Sequence, residues 1–82
     1  MTYDVYKSLA EFIDDLETVR EIEFEYNGKD YSLSYFGKVA ITEYNKPDTY
    51  REFETIEGFL SGYKIDGIPI KELVTAIKVV LH

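Results

Sequence analysis

The 82-residue chain has no cysteine, no tryptophan and one histidine, His82, in its last position. Without thiols there are no disulfides, thiolate metal sites or cysteine nucleophiles, a composition that fits a reducing compartment. A terminal histidine, where fraying is expected, supplies no positioned base. Ser8, Ser32, Ser34 and Ser61 therefore have no imidazole with which to build a Ser-His-Asp arrangement. The five glycines are dispersed, each with a turn or helix-end explanation, and form no phosphate-cradling loop. No apolar run approaches the roughly 18 residues of a membrane span, and no basic-then-apolar leader opens the chain. The expectation is a soluble, cytoplasmic protein. Bases are scarce where acids are dense: residues 1–25 hold eight acids against Lys7 and Arg20, a charge of −6 out of a total of −7. Phosphate backbones and anionic lipid repel such a chain, so neither nucleic acid nor membrane is an expected partner. A basic protein is the partner this charge leaves open.

What is present describes a globular domain. A hydrophobic fraction of 45% beside 30% charged residues is enough to fold, and the length suits one domain, 1–82. Eight tyrosines and five phenylalanines provide large core side chains.

Asn27-Gly28 carries the most architectural information. The pair separates two stretches that alternate polar and apolar, and it is the preferred filling of a two-residue type I′ turn, whose central positions both need positive φ. Strands at 20–26 and 30–36 then pair so that Ile22 faces Leu33, Phe24 faces Tyr31 and Arg20 faces Tyr35. The same register places Glu21, Glu23 and Glu25 on the other face, opposite Ser34, Ser32 and Asp30. Upstream, Ser8-Leu9-Ala10-Glu11 reads as a capping box, and Leu9, Phe12, Ile13 and Leu16 recur at helical spacing, predicting a helix that ends near Glu17 or Thr18.

Downstream, Gly37 marks a three-residue reversal over Phe36-Gly37-Lys38 that returns Val39 and Ile41 to the apolar face. Asn45-Lys46-Pro47-Asp48 reads as a turn, and 50–54 as a short edge strand burying Phe53. Thr55 is placed to cap a short helix with Ile56, Phe59 and Leu60. Tyr63-Lys64-Ile65 is a brief extended link before an Asp66-Gly67 turn. From Pro69 a final helix is predicted to the chain end, with Ile70, Leu73, Val74, Ile77 and Leu81 as its stripe. The expected fold is α+β: an antiparallel β-meander of three or four strands, one face covered by an N-terminal helix and two C-terminal helices.

Three clusters are candidate sites. Glu21, Glu23 and Glu25 form a carboxylate row with a spacing of roughly 6.6–6.8 Å. That is a row and not a chelate, since calcium needs six to eight oxygens from a tight loop. A row of this kind is also what any solvated strand face can show. Tyr44, Tyr50, Thr42 and Glu52 share that face, and tyrosines among carboxylates suit recognition of a basic partner as well as plain strand propensity. The acids of the first helix lie across the domain from the row, against one continuous acidic surface imitating DNA. The third cluster is Val79, Val80 and Leu81, an apolar surplus that either fills the core or meets a second copy across a twofold axis, with Val79 and Val80 as the self-association residues.

The segment Arg20-Glu21-Ile22-Glu23-Phe24-Glu25-Tyr26-Asn27-Gly28-Lys29-Asp30-Tyr31-Ser32, with 53–60 and Tyr63-Lys64-Ile65-Asp66-Gly67, resembles small uncharacterised acidic proteins of Gram-positive bacteria and their phages. The resemblance implies an intracellular bacterial or phage context, and it carries no activity and no site residues. The expected function is non-catalytic protein binding, as a regulator or inhibitor, through the face bearing Glu21, Glu23, Glu25, Tyr44, Tyr50 and Glu52. No cofactor or metal is expected. Two alternatives stay open: a self-associating homodimeric domain using the C-terminal helix, and a carboxylate-dependent enzyme.

Overall fold

The computed structural model describes residues 5–81, with side chains as far as Val80; the expectations for His82 and for the Leu81 side chain lie outside the described residues. Ser8 opens the first element as a capping residue should. Its hydroxyl accepts from the Glu11 amide at 3.2 Å, and helix α1 spans Leu9–Val19. The return half of the box differs from expectation, because the Glu11 carboxylate accepts from the Lys7 amide (3.3 Å) and not from that of Ser8. The helix also runs past the expected stop. Arg20 ends it in the left-handed region (φ 68°), donating its amide to the Leu16 carbonyl at 3.0 Å. That conformation is unfavourable for a residue with a Cβ. The Arg20 guanidinium lies 5.9 Å from the Tyr35 ring centre, so the side chain covers the start of the sheet while the backbone turns into it.

Strands β1 (Glu21–Tyr26) and β2 (Lys29–Tyr35) pair in the register that Asn27-Gly28 demands, with Ile22 opposite Leu33 and Phe24 opposite Tyr31. Both turn residues have positive φ, 55° and 81°, and the Phe24 and Tyr31 rings stack at 5.1 Å. The loop over Phe36-Gly37-Lys38 delivers β3 (Val39–Glu43) with Tyr35 opposite Val39 and Leu33 opposite Ile41. Gly37 supplies the left-handed residue (φ 82°) that the bulge needs.

The next reversal falls earlier than expected. It turns at Tyr44 and Asn45 (φ 64°), and Pro47 lies inside β4 (Lys46–Phe53), not in a turn. Proline is tolerated there because β4 is an edge strand. The register shifts between Ile41 and Glu43, and the Thr49 hydroxyl stitches the irregularity: it accepts from the Glu43 amide (2.9 Å) and donates to the Lys46 carbonyl (2.6 Å).

Thr55 caps α2 (Ile56–Gly62) through the Gly58 amide at 2.9 Å. A Cβ on Gly62 would sit 3.1 Å from the Phe53 ring, so glycine lets this helix lie close on the edge strand. Phe53, Phe59 and Tyr63 then form an aromatic trio with ring centres 5.7–6.3 Å apart. The expected link and turn form a small hairpin, β5 (Lys64–Ile65) and β6 (Ile68–Pro69), reversing at Asp66-Gly67. The Asn27 amide group donates to the Asp66 carboxylate at 3.1 Å, clasping the two reversals together.

The predicted final helix is not there. A 3-10 turn, Ile70–Glu72, and a further turn over 73–76 lead into a fifth long strand, β7 (Lys78–Leu81), antiparallel to β1. Helical spacing still picked the right side chains, for Ile70, Leu73, Val74 and Ile77 are all buried. A chain wound in tight turns over eight residues presents i, i+3, i+4 and i+7 together as a helix does. Beyond Ile77 the period changes to two: Lys78 is exposed, Val79 buried and Val80 exposed. The β-branched pair Val79-Val80 favours extended backbone, and β1 would otherwise leave a free edge. Pairing Val79 with Phe24 satisfies both.

The sheet order is β4-β3-β2-β1-β7, all neighbours antiparallel, in an α+β architecture with two α-helices among the described residues. Helix α1 packs on β1 and β2, and α2 on β4 and the segment after it. Both lie on the face carrying Ile22, Phe24, Leu33, Val39, Ile41 and Val79, which join Phe12, Leu16, Phe59 and Ile70 in one core. Among the described residues no helix is long and apolar enough to cross a membrane.

The strand assignment of the C-terminus has a direct consequence. Val79→Ala should cost about 1.5–3 kcal/mol in urea denaturation, while Val80→Ala should cost less than about 0.5 kcal/mol. Equal losses at the two positions would contradict the alternation.

Candidate functional site

With both helices on one side, no element among the described residues lies over the other side of the sheet. Reading across the strands, Glu21, Ser34, Ala40 and Glu52 form one row, and Glu23, Ser32 and Thr42 the next. In the third, Lys78 stands opposite Glu25 and Glu25 opposite Asp30, whose carbonyl accepts from the Tyr44 amide at 2.8 Å. Strand alternation places these side chains together, and the small residues of β2 and β3 leave a low floor between taller walls on β1 and β4.

Three shallow hollows follow from that relief. The first, about 340 Å³, lies between Glu21, Glu23, Ser32 and Ser34, with Val19 at its rim. The second, about 450 Å³, is bounded by Ser34, Ala40, Tyr50, Glu52 and the Phe36-Gly37-Lys38 loop. The third, about 160 Å³, lies among Glu23, Asp30, Tyr44 and Val80. Adjacent hollows share a wall, Glu23 in one case and Ser34 in the other.

The face is anionic and its acids are largely unpaired. Among the described residues the ion pairs are Lys38–Glu54 (3.7 Å) and Lys46–Glu43 (3.6 Å), and neither engages Glu21, Glu23, Glu25 or Asp30. Exposed aromatics share the face: Tyr44, 59% exposed, lies with Glu23 and Asp30, while Phe36, 63% exposed, and Tyr50, 50% exposed, lie with Glu52. The Tyr50 hydroxyl donates to the Glu52 carboxylate at 2.7 Å, and that bond raises the Tyr50 pKa above its ordinary value. It also holds the ring upright beside the second hollow.

Of the residues singled out from the sequence, Glu21, Glu23, Glu25, Tyr44, Tyr50 and Glu52 are thus brought onto one surface. The pair Val79 and Val80 is split. Val79 is 2% exposed and belongs to the core, so it cannot serve an interface, whereas Val80, 41% exposed, joins the anionic face. The self-association surface drawn on a C-terminal helix has no such helix to carry it. Phe36 escaped sequence reasoning because it sits in a loop. Its signal was an aromatic in a three-residue reversal with no apolar partner in register.

On the covered face a second group collects near the Asn27 turn. Tyr31 is pushed up to about 12, by burial first and then by Tyr63, Glu43, Asp66 and Tyr26 around it. Burial also raises Tyr63, with Glu43 adding and Arg51 opposing. Both hydroxyls are therefore neutral across the physiological range, and the cluster acts as packing. Among the described residues, no group of three or more His, Cys, Asp or Glu side chains is placed to hold a metal ion. Compared with protein-family models, curated proteins and solved structures, the chain matches none.

Tyr31 makes alkaline stability a readout of the core. A tyrosine whose folded pKa is raised stabilises the fold fully below its unfolded value of 10 and loses that contribution as pH climbs through about 12. Urea midpoints measured across this window should fall less steeply for Tyr31→Phe than for the parent chain; parallel curves would remove Tyr31 from the account.

Proposed function

We propose that the protein is a non-catalytic binding module, a regulator or inhibitor, that holds a basic protein partner on its uncovered sheet face. The observation that carries this reading is the set of carboxylates without an ion pair among the described residues, Glu21, Glu23, Glu25 and Asp30, sharing with exposed Tyr44, Tyr50 and Phe36 a face that no described helix covers. Glu25 directly opposite Asp30 destabilises the sheet by a few tenths of a kcal/mol, with Lys78 on the other side of Glu25 opposing that effect. A partner's lysines or arginines would relieve that repulsion and gain from it. Tyrosine and phenylalanine contribute contact area at low entropy cost, as interface anchors do. The same charge disfavours nucleic acid, anionic membrane and a second copy of this face, all of which would bring negative against negative. The resemblance to small acidic proteins of Gram-positive bacteria and their phages is compatible with an inhibitor or host-factor binder, working in the cytoplasm.

The combined substitution E21K/E23K/E25K should abolish capture of the partner identified by mass spectrometry from native lysate, and binding by the parent should weaken steeply with added salt. Reversal of Glu11, Asp14 and Glu17 on α1, across the domain, should leave capture intact. Retained capture after the first set of changes would remove this face from consideration.

A further inference from the structure

The three hollows are not independent. They join end to end on a diagonal, from Tyr44 and Val80, past Glu23 and Ser34, to Phe36 and Tyr50. The chemistry changes along that line in a definite order. Each end carries exposed aromatic or aliphatic side chains beside one acid, Asp30 at one end and Glu52 at the other, and the middle carries two carboxylates, Glu21 and Glu23, above a floor of serine with Val19 at its rim.

We propose that this trough receives a single amphipathic α-helix of a partner protein, with Lys or Arg at its centre and an apolar side chain at each end. The inference rests on the protein-binding reading above and specifies the occupant. An extended segment is poorly suited, because the backbone donors and acceptors beneath the trough are consumed in the ladders of β1, β2 and β3. Strand addition would use an outer edge, β4 or β7, and not the face between them, and the β4 edge carries Pro47 and the Thr49-stitched irregularity. A helix needs no such backbone partners, since its own are internally satisfied. The dimensions agree as well. Strands lie about 4.8 Å apart and alternate residues about 6.7 Å; Phe36 at the end of β2 and Tyr50 on β4 stand two and four strands from Val80 on β7, so the middle of the far hollow is about three spacings and one such step away, roughly 16 Å. Helix positions i and i+11 lie on one face about 16.5 Å apart, with i+4 and i+7 between them. That pattern sets apolar residues over Tyr44/Val80 and Phe36/Tyr50, and cations over Glu23 and Glu21. The intramolecular base nearest the second hollow, Lys38, is directed to Glu54 at 3.7 Å. Charge complementarity thus selects a basic helix over a second copy of this chain.

The probe is a synthetic alanine/glutamine-based helix of about 15 residues with Leu at i and i+11 and Lys at i+4 and i+7. It is titrated into nitrogen-15-labelled protein and compared with a peptide of identical composition whose Leu and Lys are dispersed around the helix. Expected are amide shifts confined to the residues along the diagonal, and affinity at least about tenfold tighter for the patterned peptide. Phe36→Ser, or Ser34→Tyr to plug the trough, should each remove most of that advantage while the remaining spectrum reports an intact fold. Equal binding of both peptides, lost on E21K/E23K/E25K, would overturn the helical occupant and leave the basic-partner reading standing. Absence of binding by the patterned peptide at millimolar concentration overturns the occupant too. If in addition the lysate capture survives E21K/E23K/E25K, the protein-binding face itself fails.

Discussion

Parity along the β1–β2 hairpin is the constraint from which the rest of the molecule follows. A strand turns successive side chains to opposite sides, so a slip of one residue would exchange Ile22 and Phe24 for Glu21, Glu23 and Glu25. Burying three carboxylates without partners is prohibitively expensive, and exposing two core residues forfeits several kcal/mol. Asn27 and Gly28 hold the register through a two-residue reversal, because both accept the left-handed backbone it requires. Every neighbouring strand inherits that parity. Val39 and Ile41 reach the core through a loop of odd length, and Val79 reaches it by pairing with Phe24.

One-sided covering is the second consequence. Helix α1 enters β1 through a single left-handed residue, Arg20, which leaves it no freedom to cross to the other side of the sheet. Helix α2 is tied to the edge strand by Phe53 against Phe59 and by the close approach at Gly62. The Asp66-Gly67 reversal is clasped to the Asn27 turn, so the chain after α2 stays on the covered side until it becomes β7. Apolar contacts on one face are thereby complete. The opposite face is left to whatever its side chains can bind.

That face combines two properties on which the proposed binding rests. Among the described residues Glu21, Glu23, Glu25 and Asp30 enter no ion pair, and the exposed rings of Phe36, Tyr44 and Tyr50 share their face. Surface charge alone contributes little to stability and steers association strongly. The proposed basic helix would complete a third layer, turning a sheet covered on one side into one covered on both.

Much of this was legible before the coordinates, and the exceptions share a cause. The Ser8 and Thr55 caps, the hairpin register, the odd loop at Gly37 and the gathering of Glu21, Glu23, Glu25, Tyr44, Tyr50 and Glu52 on one surface depend on local chemistry and on alternation, both of which are written in neighbouring residues. The fifth strand, the burial of Val79, the role of Phe36 and the inclusion of Pro47 in an edge strand were not legible. The segment from Ile70 to Val80 satisfies a helical period first and an extended one later, and only the unpaired edge of β1 selects between them. Local sequence therefore determined which side chains are apolar partners and which way each strand faces. Tertiary structure alone decided which edge was filled and which face stayed open, because those depend on what remains unsatisfied after the hairpin has formed.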